Sequence, residues 1–233
     1  MIICIPIIAR THEAALTQME RSSPLAGVLE LRIDQIRNTN LEKLMSGKRG
    51  KILVTNRRKD EGGRFSGTER ERVELLKEAV ELGADYVDIE VRTEEALIEE
   101  LGAKIGNHHG RTKWIISHHD FSGTPSERAL RRKLDECNGT GADIVKIVTY
   151  ANTVEDNLRV LGLIPHARRK GGKIIAFCMG ELGRISRIMA PLLGSYFSYA
   201  SLERGAESAP GQLTIEEIKE VFKILNGVGA DKL

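Results

Sequence analysis

The sequence predicts an α/β protein of the (β/α)8 TIM-barrel class, and three observations carry that expectation. Eight short β-branched or aliphatic runs alternate with segments whose apolar residues recur at three- and four-residue spacing, as parallel strands linked by crossover helices do. The chain of 233 residues has room for eight such units at the compact end of the barrel range. No GxGxxG follows the first run, so the competing architecture, an open doubly wound sheet, lacks its usual phosphate loop. With no linker, low-complexity tract or repeat to divide it, the chain is expected to form one domain over residues 1–233.

The first strand is read in Ile2–Ile8: the opening Met1–Ala9 holds Pro6, has no basic segment before it and is too short to span a bilayer, so neither a signal peptide nor an anchor is expected. The remaining strands are read in Gly27–Ile33, Ile52–Asn56, Tyr86–Val91, Lys113–Ser117, Ile144–Val148, Ile174–Cys178 and Ser195–Ser201. Between them, the pattern from Glu69 to Val80 and the segment Ser126–Cys137 behind Thr124-Pro125 read as helices. Thr153 and Thr214, each followed by acids, read as hydroxyl caps at helix starts. The Gly62-Gly63 and Gly171-Gly172 pairs read as turns, and Arg168-Arg169-Lys170 as a solvated helix end.

Composition narrows the function. Lys+Arg 35 against Asp+Glu 33 leaves a net charge of +2, and aromatic residues make up only 4%, so a nucleic-acid partner is not expected. The three cysteines, Cys4, Cys137 and Cys178, are far apart and form no CxxC pair, which points to a reducing cytoplasm rather than to disulfides or a zinc ribbon.

Chemistry enters through strand alternation, because residues i and i+2 share a face. One face of the second strand carries Leu29, Leu31 and Ile33, and the other carries Glu30 and Arg32. The same split sets Asp88 with Glu90, Thr55 with Arg57, Ser117 with His119, and Lys146 with Ile144 and Val148. Internal salt bridges would account for any one pair, but polar groups recurring toward the strand ends mark the place where barrel active sites form. Lys146 lies in the aliphatic run Ile144–Val148, where desolvation of an ammonium favours the neutral amine, the form that attacks a ketone to give a Schiff base. His119 suits proton transfer. A metal is not expected, because neither His118-His119 nor His108-His109 has ligand spacing. Arg187 could clamp a carboxylate or phosphate, and Ser208-Ala209-Pro210-Gly211-Gln212 has the composition of a lid or of a plain connector.

Taken in order, Glu30-Leu31-Arg32-Ile33-Asp34, Thr55-Asn56-Arg57 leading to Glu61-Gly62-Gly63, Ser117-His118-His119-Asp120-Phe121, Ala142 to Ile147, Met179-Gly180 through Ser186-Arg187, and Ser208 to Gln212 resemble the type I 3-dehydroquinate dehydratases of the shikimate pathway. The resemblance runs the length of the chain. It implies a homodimeric barrel that eliminates water from 3-dehydroquinate, with syn stereochemistry and with no metal or organic cofactor. It implies Lys146 as the Schiff-base lysine, His119 as general acid and base, and Glu61 as the carboxylate that orients it. Arg187 would hold the substrate carboxylate, Ser208 and Gln212 would close over the ligand, and Glu30, Arg32 and Arg57 would bind hydroxyls and hold the charges. Asn56 and His118 depart from the family pattern. On the residues alone, a class I aldolase-like barrel and a ligand-binding barrel without turnover stay open.

Overall fold

The computed structural model describes residues 2–108 and 111–226. Strands β1 (Ile3–Ile7), β2 (Val28–Arg32), β3 (Ile52–Thr55), β4 (Tyr86–Glu90), β5 (Lys113–Asp120), β6 (Ile144–Tyr150), β7 (Ile174–Met179) and β8 (Ser198–Tyr199) form one sheet. Helices α1 (His12–Ser22), α2 (Leu41–Ser46), α3 (Glu69–Glu81), α4 (Glu95–Asn107) and α5 (Glu127–Gly139) each follow a strand. The connection after β6 holds α6 (Asp156–Leu161) and α7 (Leu163–Arg169); α8 (Arg184–Leu193) follows β7 and α9 (Ile215–Asn226) follows β8. Each strand pairs in parallel with its sequence neighbour as far as β7, and β8 pairs in parallel with β1. The gap between β7 and β8 is crossed by Tyr196 N–H donating to the Ile174 carbonyl at 2.8 Å, so the sheet is a nearly closed (β/α)8 barrel and not an open sheet.

Strands of a parallel barrel bury both faces, which is why their sequences are aliphatic almost throughout. Leu29, Leu31, Val54, Val87, Ile89, Ile116, Val145 and Ile147 pack outward against the helices in the main core. A second cluster, including Cys4, Val28, Leu53, Tyr86, Ile115, Ile144, Ile175 and Phe197, fills the interior. Along β2 to β6 the inward-facing side chain changes from apolar near the strand start to polar two residues on: Val28 to Glu30, Leu53 to Thr55, Tyr86 to Asp88, Ile115 to Ser117 and Ile144 to Lys146. The interior is thus an apolar plug with a buried polar layer above it.

Three expectations need correction. The run Ser195–Ser201 forms only the two-residue β8. Ala200 N–H donates to the Cys4 carbonyl at 3.1 Å, but the next rung would need an N–H from Pro6, which has none. Ser201 N–H turns instead to the Leu213 carbonyl at 2.9 Å. Thr153 does not cap a helix: α6 starts at Asp156, whose carboxylate reaches back to accept the Asn152 and Thr153 N–H groups at 2.7 and 3.0 Å. A carboxylate makes the stronger, charge-assisted bond to these donors. β5 and β6 run past their expected ends because His118, His119 and Asp120 pair with Ile147, Val148 and Thr149.

The other expected cap, at Thr214, forms as read, and a further one forms at Thr68. Thr214 Oγ1 accepts the Glu217 N–H at 3.1 Å while Glu217 accepts the Thr214 N–H at 2.9 Å. Thr68 and Glu71 close the same reciprocal box at the start of α3, at 3.2 and 2.7 Å. Thr68→Ala removes one half of that box and should lower stability by about 1 kcal/mol, read as a reduced urea midpoint at unchanged slope.

Candidate active site

A cleft opens at the C-terminal mouth of the barrel, lined by Glu30, Arg32, Arg57, Glu61, His119, Lys146, Arg187 and Ser208 among others. These side chains come from β2, the segments after β3, β7 and β8, and strands β5 and β6, so the fold brings together residues spread across the sequence.

Arg57 anchors the polar layer. Its Nη1 donates to Glu90 Oε1 at 2.8 Å and to Ser117 Oγ at 2.7 Å, and its Nη2 donates to Asp88 Oδ2 at 2.8 Å. Ser117 in turn donates to Asp88 Oδ1 at 2.6 Å. Burial by itself would push the Asp88 carboxyl up, but Arg57 and Lys146 hold it well below the usual carboxylate range. Arg72, buried on α3, reaches Glu90 Oε2 at 2.6 Å and also pairs with Glu69. Arg32 forks onto Asp34 at 2.8 and 2.9 Å, and Glu30 accepts the Thr55 hydroxyl at 2.8 Å.

Lys146 stands on the cleft floor. Its Nζ lies 3.2 Å from Asp88 Oδ2, 3.1 Å from the Tyr199 hydroxyl and 3.8 Å from Glu30 Oε1, and 4.5 Å from the centre of the Tyr199 ring. The surroundings differ from those expected of the aliphatic run. Val145 and Ile147 face the helices, and the amine itself meets carboxylates and a phenol.

His119 is held twice by one oxygen, since its backbone N–H and its ring Nδ1 both lie 2.9 Å from Glu61 Oε2. Burial, with help from Arg57 and Lys146, pushes the imidazole well below its ordinary value, which favours the neutral ring. Burial also raises the Glu61 carboxyl to about 7, against the pull of Arg57. Glu61 sits in a tight turn that only glycine can close. A Cβ at Gly63 would lie 1.9 Å from the Arg57 carbonyl oxygen. His118 faces the other way, toward α5, where its ring is half-buried near Lys133 and Glu136.

Arg187 is 2% exposed, stacks over the Phe177 ring at 4.5 Å and donates to the Pro210 carbonyl at 3.2 Å. Among the described residues it is the buried arginine without a carboxylate partner, and burial brings it down to about 10. Ser208 lines the cleft, whereas Gln212 lies behind it, its Oε1 accepting from the Ser208 N–H at 2.7 Å and hydroxyl at 3.0 Å. Gln212 is thus a brace for Ser208 in this structure, with its own buried Nε2 left without a partner. The loop is pinned at Gly211, where φ is +75° and a Cβ would meet the Gly180 carbonyl oxygen at 2.1 Å.

Tyr199, Asp34 and Arg72 were not singled out by sequence. Tyr199 shares the interior face with Phe197, a signal weakened by the brevity of β8. Asp34 and Arg72 act through partners on other elements, which spacing along one segment does not reveal. No group of three or more His, Cys, Asp and Glu side chains among the described residues is arranged to hold a metal; His109 lies outside them.

Comparison with known proteins places this barrel among the lyases. The type I 3-dehydroquinase family model matches residues 3–228, and the chain belongs to that family. The 3-dehydroquinate dehydratase of Methanocaldococcus jannaschii is 35% identical over 229 residues, which cover 96% of this chain and 99% of that one. The crystal structure of 3-dehydroquinate dehydratase from Geobacillus kaustophilus superposes with a TM-score of 0.89 at 28% identity, covering 98% and 92% of the two chains. A type I enzyme from Clostridium difficile, solved with covalently modified comenic acid, gives a TM-score of 0.86 at 25% identity, covering 96% of this chain and 91% of that one.

The polar layer makes stability depend on acid. The folded Asp88 pKa is depressed, so its stabilising contribution is complete above its unfolded value, near 3.8, and is lost as pH falls toward the folded value. In urea titrations from about pH 6 to about pH 3, the midpoint of the unaltered protein should fall more steeply than that of Asp88→Asn.

Proposed function

We propose that this chain dehydrates 3-dehydroquinate to 3-dehydroshikimate with Lys146 as the imine-forming nucleophile, His119 as the acid and base, Glu61 as its orienting carboxylate and Arg187 as the carboxylate clamp. The observation that carries the reading is the convergence of one lysine amine, one imidazole and one unpaired guanidinium in a single cleft. The substrate offers a group to each. It has a ring ketone, a neighbouring methylene, and beyond that a carbon bearing both a hydroxyl and the carboxylate.

Lys146 Nζ adds to the ketone carbon, and loss of the oxygen as water leaves an iminium. His119 removes a proton from the adjacent methylene, and the C–H electron pair moves through the new C=C bond onto nitrogen as an enamine. With an Nδ1 proton donated to Glu61, the imidazole would keep the Nε2 lone pair for this step. The enamine then expels the hydroxyl, which leaves as water with the proton that His119 had taken up. Addition of water to the conjugated iminium frees the product and the lysine. One ring acting as base and then as acid works on one face of the substrate, which supports a syn course. Arg187 would fix the carboxylate and thereby the carbon that loses its hydroxyl. Arg57, already committed to three partners, would hold the layer rather than the ligand; Glu30 and Arg32 line the cleft where ring hydroxyls would lie. Ser208 would close over the ligand with Gln212 behind it.

Borohydride added to protein and 3-dehydroquinate should place a reduced adduct on Lys146, located by peptide mass, and Lys146→Met should abolish both adduct and turnover. Labelling by sugar phosphates alone would favour an aldolase-like barrel, and no labelling by any carbonyl compound would favour a binding protein without turnover.

The chain is further proposed to act as one domain and as a homodimer in a reducing cytoplasm. The buried free thiols Cys4, Cys137 and Cys178 support the compartment, and no helix among the described residues is long and apolar enough to cross a membrane. For the dimer, Val154 and Leu158 near α6 and Ile185 and Leu192 on the adjacent α8 are exposed together with Leu182, which is tied to α6 by Asn157 Nδ2 donating to its carbonyl at 2.8 Å. Such a patch on two packed helices suits a second copy of the chain. Leu158→Glu should then shift the protein from dimer to monomer in sedimentation.

A further inference from the structure

Building an iminium from a lysine ammonium and a ketone requires two protons to leave Nζ and both to end on the departing oxygen, which goes as water. This inference rests on the reading of Lys146 as the imine-forming lysine. His119 is turned to Glu61 and makes no hydrogen bond to Nζ among the described residues. Of the groups that do approach Nζ, Asp88 already receives Arg57, Ser117 and the lysine itself, and Glu30, at 3.8 Å, is occupied by the Thr55 hydroxyl. The Tyr199 hydroxyl, 3.1 Å from Nζ, both accepts and donates.

We propose that Tyr199 is a further catalytic residue, relaying protons from Lys146 Nζ to the ketone oxygen as the imine forms. In the first transfer the electron pair of the breaking N–H bond forms the N–C bond and the C=O pair moves to oxygen. The phenol takes a proton from nitrogen while passing its own to that oxygen, giving the carbinolamine. In the second, the electron pair of the breaking N–H bond forms the C=N bond and the C–O bond breaks, while the same relay carries that proton to oxygen, which departs as water and leaves the iminium. Tyr199 ends each transfer as it began, and no other reactant is consumed. The reverse sequence serves hydrolysis of the product iminium. The surroundings keep the group a phenol: burial, then Cys4, Glu30 and Asp88, push its ionisation well above the ordinary value. The ring packs against Phe177 with centroids 5.8 Å apart, which keeps the hydroxyl over the amine.

Tyr199→Phe keeps the ring and removes only the relay oxygen. Protein and 3-dehydroquinate would be mixed and quenched with borohydride at increasing times, with the adduct on Lys146 followed by mass. The expected result is imine formation slowed about 100-fold, with the same final extent of labelling and an unchanged melting midpoint. Labelling at the unaltered rate would overturn the relay. So would a slow Tyr199→Leu beside a fast Tyr199→Phe, which would assign the effect to ring packing. If the unaltered protein itself gains no adduct on Lys146, the imine reading fails, and the relay falls with it; that outcome is distinct from a slow variant of a labelling enzyme.

Discussion

Charge placed inside a barrel has to be answered by charge, and Arg57 is where this molecule meets that requirement. Leaving either partner of a buried ion pair unanswered costs about 3–5 kcal/mol, so the guanidinium and the carboxylates of β4 hold each other in place. Through Asp88 this arrangement reaches Lys146, through Ser117 it reaches β5 next to His119, and through Glu90 it reaches Arg72 on α3. Arg187 stands outside this balance. Desolvated and with no carboxylate partner among the described residues, it has the planar fork that the proposed reading gives to a ligand's carboxylate.

The same economy explains the vertical division of the interior. Apolar side chains close the barrel near the strand starts, where Tyr86 and Phe197 meet edge to face, and the polar layer stands above them. Steep turns then bring loop residues in over that layer. Gly63 lets the chain pass against the Arg57 carbonyl so that Glu61 can reach β5, and Gly211 lets the last loop lie on Gly180 so that Ser208 faces the cleft. The glycines of the 62–63 pair, read by sequence as a turn, therefore set where a carboxylate sits.

Much of the site was legible because strand alternation is a local property. Glu30 with Arg32, Ser117 with His119, and Lys146 with Val148 face inward as their spacing requires, and His118 faces the helices for the same reason. What sequence reading missed depends on contacts between strands. The aliphatic run around Lys146 describes the neighbours along its own strand, which point away, while the groups at Nζ come from β2, β4 and β8. Register with β1 and the missing N–H of Pro6 decided the length of β8, and a cross-loop carboxylate displaced Thr153 from its expected cap. Gln212 was placed by motif in the closing loop, but only the folded chain shows that its Oε1 is taken up by Ser208.

The position of Asp88 has one more consequence. Its Oδ2 faces both the Arg57 fork and Lys146 Nζ, and its other oxygen accepts Ser117. In the proposed mechanism an iminium would carry its positive charge on the same nitrogen, so the carboxylate would meet that charge without a dipole having to turn. When the charge fades at the enamine, Arg57 and Ser117 still hold the carboxylate in place. On the proposed mechanism the polar layer would thus work as a solvent oriented in advance, with little reorganisation energy to supply at each change of charge on nitrogen.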